Sequence, residues 1–137
     1  MDKFKFKYTP ILIGGKAMEY YNLRKTGDDI DYIIHKSDYE KLSKIIKPNE
    51  YMPIQTPAIT YKGGKIDIDY FLKLYNFDYN KLKRNAVEFK EGNNLVVSKE
   101  DLILIKSMTS FDEKNKIGKA VKEKNLKDIK LLVNSII

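Results

Sequence analysis

Two Asp-Ile-Asp segments, Asp29-Ile30-Asp31 and Asp67-Ile68-Asp69, together with an upstream glycine pair, Gly14-Gly15, constrain this chain more than any other feature. In a strand, successive side chains point to opposite faces, so Asp29 and Asp31 share one face while Ile30 and the Tyr32-Ile33-Ile34 run anchor the strand to a core. Hard divalent cations take oxygen ligands and are commonly held by a few carboxylates together with substrate phosphates. Acidic strands downstream of a glycine turn therefore suit a site for metal and nucleotide.

The rest of the composition narrows the chemistry. The chain has 137 residues, 42% hydrophobic and 33% charged, which fits one compact unit spanning 1–137 and argues against extended disorder. With no cysteine and a single histidine, His35, disulfides, thiolate zinc sites and multi-histidine centres are excluded, so any metal must bind mainly oxygen. A net charge of +7 favours a polyanionic partner such as a nucleic acid or a nucleoside triphosphate. Apolar runs such as Ile11-Leu12-Ile13 and Leu102-Ile103-Leu104-Ile105 are too short to span a bilayer, and the opening Met1-Asp2-Lys3-Phe4-Lys5-Phe6-Lys7 lacks the apolar block of a signal peptide. A cytoplasmic protein with no membrane association is expected. The heavy use of Lys, Asn, Ile and Tyr suggests AT-rich coding DNA and a bacterial or phage source.

Along the chain, Phe4, Phe6 and Tyr8 alternate with lysines in the period of a half-buried strand. Ile11 to Ile13 reads as a buried strand, Gly14-Gly15 as a turn and Ala17 to Tyr21 as a helix. Asp29 to Ile34 is the next strand. Ser37-Asp38-Tyr39-Glu40 matches a capping box opening a helix to about Ile46, with Asp38 and Glu40 as capping charges. Ala58 to Tyr61 and Lys65 to Phe71 flank Lys62-Gly63-Gly64 as a hairpin. A short helix is expected over Asp78 to Arg84, and short strands over Val87 to Phe89 and Leu95 to Val97. Ser98 caps a helix through about Met108, Asp112 starts another, and Asn125 opens a last one with Ile129, Leu132 and Val133 as its apolar face. The expectation is an α/β (α+β) domain, with a sheet-containing core over about 1–97 and helices over about 98–137.

Gly14-Gly15-Lys16-Ala17-Met18, then Tyr21-Asn22-Leu23-Arg24-Lys25-Thr26, then Asp29-Ile30-Asp31, resembles the nucleotidyltransferase-fold superfamily, especially its minimal and AbiEii-type toxin branches. The helix from Ser98 to Lys106 and the Lys127-Asp128 helix are similar to the tail of those proteins. The resemblance implies a mixed β-sheet with flanking helices. It also implies a glycine turn that approaches a triphosphate, a pair of aspartates plus a third carboxylate on a neighbouring strand that bind two Mg2+ (or Mn2+), and transfer of a nucleoside monophosphate to an acceptor hydroxyl. Carried over, it assigns Gly14 and Gly15 to phosphate binding and Asp29, Asp31 and Asp67 or Asp69 to catalysis and metal binding. Asp67 and Asp69 lie on one face of their strand; the apolar Tyr70-Phe71-Leu72 that follows resembles the family's continuation after its metal ligand, which favours Asp67 as the third ligand. The carboxylate of this second strand also suits a general base.

Physical chemistry supports the carry-over, because glycines at a helix start let backbone N–H groups approach a phosphate. There are departures. Thirteen residues separate Gly15 from Asp29, more than in the tightest minimal members, and Lys16 stands where many have Ser or Thr. Asp28 offers a second register, Asp28-Asp29, and the family likeness selects Asp29 and Asp31. Lys16, Arg24, Thr26 and Lys106 are candidate nucleotide-binding residues. Against this, Arg24 is equally a structural ion-pair residue, Lys106 a solvated helix lysine, His35 a surface residue and the tyrosines sheet and core residues. Lysines from Lys114 to Lys130 read as a solvated helical face, with RNA contact as the minority reading.

The reading is thus of a Mg-dependent nucleotidyltransferase, with a nucleoside triphosphate as donor and RNA, tRNA or a protein as acceptor, in keeping with a toxin acting beside an antitoxin. The alternative is a catalytically inactive domain of the same fold, of phage origin, that serves as a nucleic-acid or protein interaction module.

Overall fold

Ile11, Leu12 and Ile13 are exposed by 5% or less, and they form β1 (Ile11–Ile13), a central strand of the computed structural model. The structure describes residues 4–27, 29–51, 56–89, 91–111 and 119–137. β1 passes directly into helix α1 (Gly14–Tyr20), and β2 (Ile30–Ile33) returns antiparallel to it. Helix α2 (Lys36–Ser43) leads to β3 (Asn49–Tyr51), β4 (Thr56–Tyr61) and β5 (Ile68–Phe71). A small hairpin, β6 (Lys73–Leu74) and β7 (Phe77–Asp78), precedes helix α3 (Tyr79–Lys83). Then come β8 (Val87–Glu88), β9 (Leu95–Val96), helix α4 (Lys99–Phe111) and helix α5 (Lys119–Ile136).

Among the described residues the main sheet runs β3-β4-β5-β2-β1-β9-β8. It is mixed: β2 with β5 and β1 with β9 are parallel, and the other pairs are antiparallel. This order matters for function, since β5, reached through α2, β3 and β4, inserts directly beside β2. The two Asp-Ile-Asp segments, far apart in sequence, thereby become neighbours.

The sheet is apolar on both faces. Ile11, Ile13, Ile33 and Phe71 pack with Leu102 and Ile105 of α4 and Leu132 of α5. Ile34, Ile59 and Tyr70 form a second cluster with Leu42 of α2. Each such side chain, fully buried, contributes roughly 1.5–3 kcal/mol through removal of apolar surface from water.

The expected strands, hairpin and helices at Ile11, Ala17, Asp29, Ala58, Asp78 and Ser98 are present within a residue or a few of the expected bounds. Several expectations need correction. Phe4 to Tyr8 is not a strand: the backbone N–H groups of Lys7 and Tyr8 donate to the Asp38 carboxylate at 3.0 and 2.9 Å instead of to a strand partner. Asp38 is therefore a fully buried tether for the amino-terminal segment, not a capping charge. Helix α2 starts at Lys36 and ends at Ser43, before Ile46, and His35 caps it, its Nδ1 accepting from the Ser37 N–H at 3.1 Å. His35 is half-buried, with its ring stacked 3.8 Å from that of Tyr8, and is not a surface residue. Helix α5 is already formed at Lys119, well before Asn125, and its inward residues are Asn125, Asp128 and Leu132, while Val133 is 40% exposed. Strand β3 and the β6–β7 hairpin carry no alternation that marks them in sequence. Residues Met1 to Lys3, Asp28, Asp112 and Lys114 lie outside the described residues. Among the described residues no helix is long and apolar enough to cross a membrane.

Candidate functional site

Parallel pairing of β2 and β5 sets Asp31 opposite Asp69 and Ile30 opposite Ile68. Partners in register share a face, so the two carboxylates stand side by side on the face that also carries Ile13 and Ile33. Asp69 is 8% exposed, and Thr60 on β4 donates its hydroxyl to Asp69 Oδ1 at 2.6 Å. Asp31 Oδ1 is buried and, among the described residues, has no hydrogen-bond partner. Burial drives the Asp31 pKa up to about 7; the negative charges of Asp69 and Asp29 and a side-chain hydrogen bond with Asp69 add to the rise, while Lys106 opposes it.

Asp29 is exposed at the entrance to β2. Asp67, one residue before β5, is half-buried and joins the sheet through its carbonyl, which accepts the Ile30 N–H at 3.0 Å. Of the two candidates on the second acidic segment, it is thus Asp69 whose position faces Asp31. Among the described residues no group of three acidic or histidine side chains is gathered closely enough to hold an ion on its own.

Gly14 and Gly15, expected as a turn ahead of the helix, are instead the first two residues of α1, and Gly14 lies against Asp31. Gly14 has φ +68°, a left-handed conformation that favours glycine, and a Cβ there would sit 2.9 Å from Asp31 Oδ2. A Cβ on Gly15 would collide with the Thr26 hydroxyl and lie 3.7 Å from Arg24 Nη2. Gly14 is therefore required by Asp31, and Gly15 by the loop after α1 that folds back over it. Ile13, at the N-cap of α1, makes no side-chain cap hydrogen bond, and the first turn holds no acidic residue. Since α1 is only seven residues long, bare backbone rather than a large dipole is what this turn offers a ligand. Lys16 points away to Glu19, 3.2 Å from Nζ.

Behind the turn, three charges from distant elements meet. Arg24 binds Asp128 of α5 in bidentate fashion, Nε to Oδ1 at 2.6 Å and Nη2 to Oδ2 at 2.9 Å. Lys106 of α4 reaches the same carboxylate at 2.9 Å. Lys106 is 8% exposed, which overturns its reading as a solvated helix lysine. Burial pushes the Lys106 ammonium below its ordinary pKa, with Asp128 opposing. Burial raises the Asp128 carboxyl, but the hydrogen bonds and charges of Arg24 and Lys106 outweigh this and hold it below the usual range. From sequence, Asp128 carries the likeness of its helix to the family's tail but no role of its own. The available signal was that Asn125, Asp128 and Leu132 recur at helical spacing, so polar residues occupy the inward stripe of α5 and need buried partners.

No family model matches the chain, and no curated protein matches it. Among solved structures it is similar to the antibiotic-resistance factor ANT(2'')-Ia, an aminoglycoside nucleotidyltransferase, with a TM-score of 0.52 and 14% identity over 94% of this chain and 75% of that one. At that identity the likeness speaks to fold: the chain has a nucleotidyltransferase-like mixed α/β fold, with a multi-stranded sheet, flanking helices and a carboxy-terminal helix.

Proposed function

We propose that the protein binds a nucleoside triphosphate with Mg2+ or Mn2+ and transfers its nucleoside monophosphate to an acceptor hydroxyl. The observation that carries this reading is the registered pair Asp31 and Asp69, with the Asp31 Oδ1 buried and, among the described residues, unpartnered beside a second carboxylate. Two apposed carboxylates disfavour each other's ionisation, and a hard cation removes that cost by accepting their oxygens. The residues fit such a cation: Asp31 and Asp69 would hold it, with Asp29 at the strand entrance completing the set when phosphate oxygens join. Asp69 takes the place for which sequence favoured Asp67. Bound there, the metal supplies charge neutralisation to the phosphates.

The chain's own residues divide the remaining work. Backbone at Gly14 and Gly15, the Thr26 hydroxyl and the positive field of Arg24 and Lys106 favour the triphosphate at the turn. Asp69, oriented through Thr60, accepts the proton of the acceptor hydroxyl. The acceptor oxygen then bonds to the α-phosphorus, the bond from that phosphorus to the bridging oxygen of the β-phosphate breaks, and pyrophosphate leaves. The similar structure is that of an enzyme acting on aminoglycosides, but the net charge of +7 here favours an anionic acceptor, RNA or tRNA first and a protein hydroxyl next. A toxin role, with an antitoxin as partner, is part of this proposal.

The test is transfer of label from each α-32P nucleoside triphosphate to RNA or protein in the presence of Mg2+. Asp69→Asn should lower transfer by about 10²–10⁴-fold in a folded protein. A second reading, a non-catalytic interaction module, draws on the engagement of Arg24 and Lys106 by Asp128. RNA binding with steep salt dependence, unchanged by Asp69→Asn and without label transfer, would favour it.

A further inference from the structure

A cleft of about 850 Å³ opens on the sheet face opposite the carboxylates, where Leu12, Ile30 and Tyr32 alternate with Ile13 and Asp31. Its walls are aromatic: Tyr20 and Tyr21 at the end of α1, Tyr32 on β2, and Phe89 after β8. The Tyr20 ring lies 5.0 Å from Phe89 and 5.1 Å, edge-on, from Tyr21. Two of these rings are fixed through their hydroxyls, Tyr21 donating to the Val97 carbonyl at 2.7 Å and Tyr20 to the Glu88 carbonyl at 3.3 Å. The rings are thus held as a preformed platform of the kind on which flat ligands stack.

The polar groups at the cleft select among flat ligands. Glu91 contributes a carboxylate, and Asn94 contributes an amide, one N–H of which is given to the Leu95 carbonyl at 3.0 Å while its oxygen can accept. Glu19 is occupied by Lys16, and Asn22 adds a second amide. Acceptors beside an aromatic platform match a planar ring that carries amino donors, and a carboxylate accepts well from the exocyclic amine of cytosine. The cleft reaches the glycine pair: Lys16, directly after Gly15, lines it, while Asp31 and Asp69 stand on the other face of the sheet.

We infer that this cleft is a nucleobase pocket, taking the amino-bearing base of a nucleotide whose phosphate end faces the Gly14-Gly15 turn. The base belongs to the donor triphosphate or to an unpaired residue of a nucleic-acid acceptor. The orientation of that nucleotide rests on the transfer reading, whereas the pocket's affinity for a base does not.

The experiment is saturation-transfer NMR of adenosine, cytidine, guanosine and uridine with the whole protein in EDTA, alongside affinities of Mg2+-triphosphates and of a short single-stranded RNA. The expected result is base-proton contact that is stronger for the amino-bearing nucleosides than for uridine, with affinity reduced about 5–150-fold by Phe89→Ala. Phe89→Tyr should retain binding, which separates stacking from misfolding, and Asp31→Asn should leave nucleoside contact intact. Loss of triphosphate affinity in Phe89→Ala would assign the base to the donor, and loss of RNA affinity alone would assign it to the acceptor. Absence of nucleoside contact, or contact that survives both Phe89→Ala and Tyr20→Ala, overturns the pocket, even where Asp31-dependent triphosphate binding upholds the transfer reading. Phe89-dependent nucleoside binding with no metal-dependent triphosphate binding upholds the pocket and fails the transfer reading.

Discussion

Arg24 and Asp128, 104 positions apart in sequence, form a bidentate ion pair with contacts of 2.6 and 2.9 Å that ties the loop after α1 to helix α5. Because Asp128 is almost wholly buried and also holds Lys106, its removal strands two cations, one of them deep in the fold. Asp128→Ala should cost about 3–5 kcal/mol of stability, the scale for breaking a buried pair from one side. Urea denaturation checks this. A loss below about 1 kcal/mol, the range of an exposed pair, would mean that the triad does not tie these elements together.

The raised pKa of Asp31 predicts a pH-dependent stability when no divalent cation is present. The folded-state pKa of about 7 lies above the ordinary carboxyl value of 3.8, so the folded protein binds this proton more tightly than the unfolded chain. The contribution is fully present below about pH 4, declines as pH rises, and is exhausted above about pH 7, with a span on the order of 4 kcal/mol. Asp128, with a depressed pKa, acts in the opposite sense and only at pH below the ordinary carboxylate range. Thermal melts in EDTA should therefore show the Asp31→Asn variant more stable than wild type at pH 8 and nearly equal to it at pH 4. Equal melting temperatures at both pH values would contradict the electrostatic account of the site.

Packing of the glycine turn yields a paired test. A methyl group at Gly15 meets the Thr26 hydroxyl, so Gly15→Ala should destabilise the loop and the protein by about 1–3 kcal/mol, the usual range for overpacking. Adding Thr26→Gly opens the space and should restore part of that loss, measured as a non-additive double-mutant cycle. Strictly additive effects would show that the collision is relieved elsewhere. Gly14→Ala has no such rescue, because its obstacles are a positive φ and Asp31 itself.

Much of this architecture was legible in the sequence, for reasons that can be named. Ile11 to Ile13, the Asp29 to Ile34 strand and the Lys62-Gly63-Gly64 hairpin carry local signals of apolar runs, alternation and glycine turns, and these are the elements that position the acidic pair. That Asp69 rather than Asp67 stands opposite Asp31 was not legible. Asp69 lies within β5 and Asp67 one residue before it, and what sets Asp69 beside Asp31 is register with β2, a property of pairing between distant segments. The same holds for Asp38, which resembles a helix cap locally yet serves the backbone of Lys7 and Tyr8 some thirty residues away. Lys106 and Asp128 look like surface charges until α4 and α5 bring them together. Long-range polar contacts leave little trace in local periodicity, and they make up most of what the chain alone concealed.

Calorimetric titration of nucleoside triphosphates in Mg2+ against wild type, Asp31→Asn, Asp69→Asn and Asp67→Asn tests the central claim most directly. The account predicts metal-dependent binding in wild type and Asp67→Asn, with affinity at least about tenfold weaker, or lost, in folded Asp31→Asn and Asp69→Asn, since about 1.4 kcal/mol is tenfold in affinity and each carboxylate would contribute a charged contact to the cation. Absence of triphosphate binding by wild type with either Mg2+ or Mn2+, or binding that both the Asp31 and Asp69 variants retain, would contradict it.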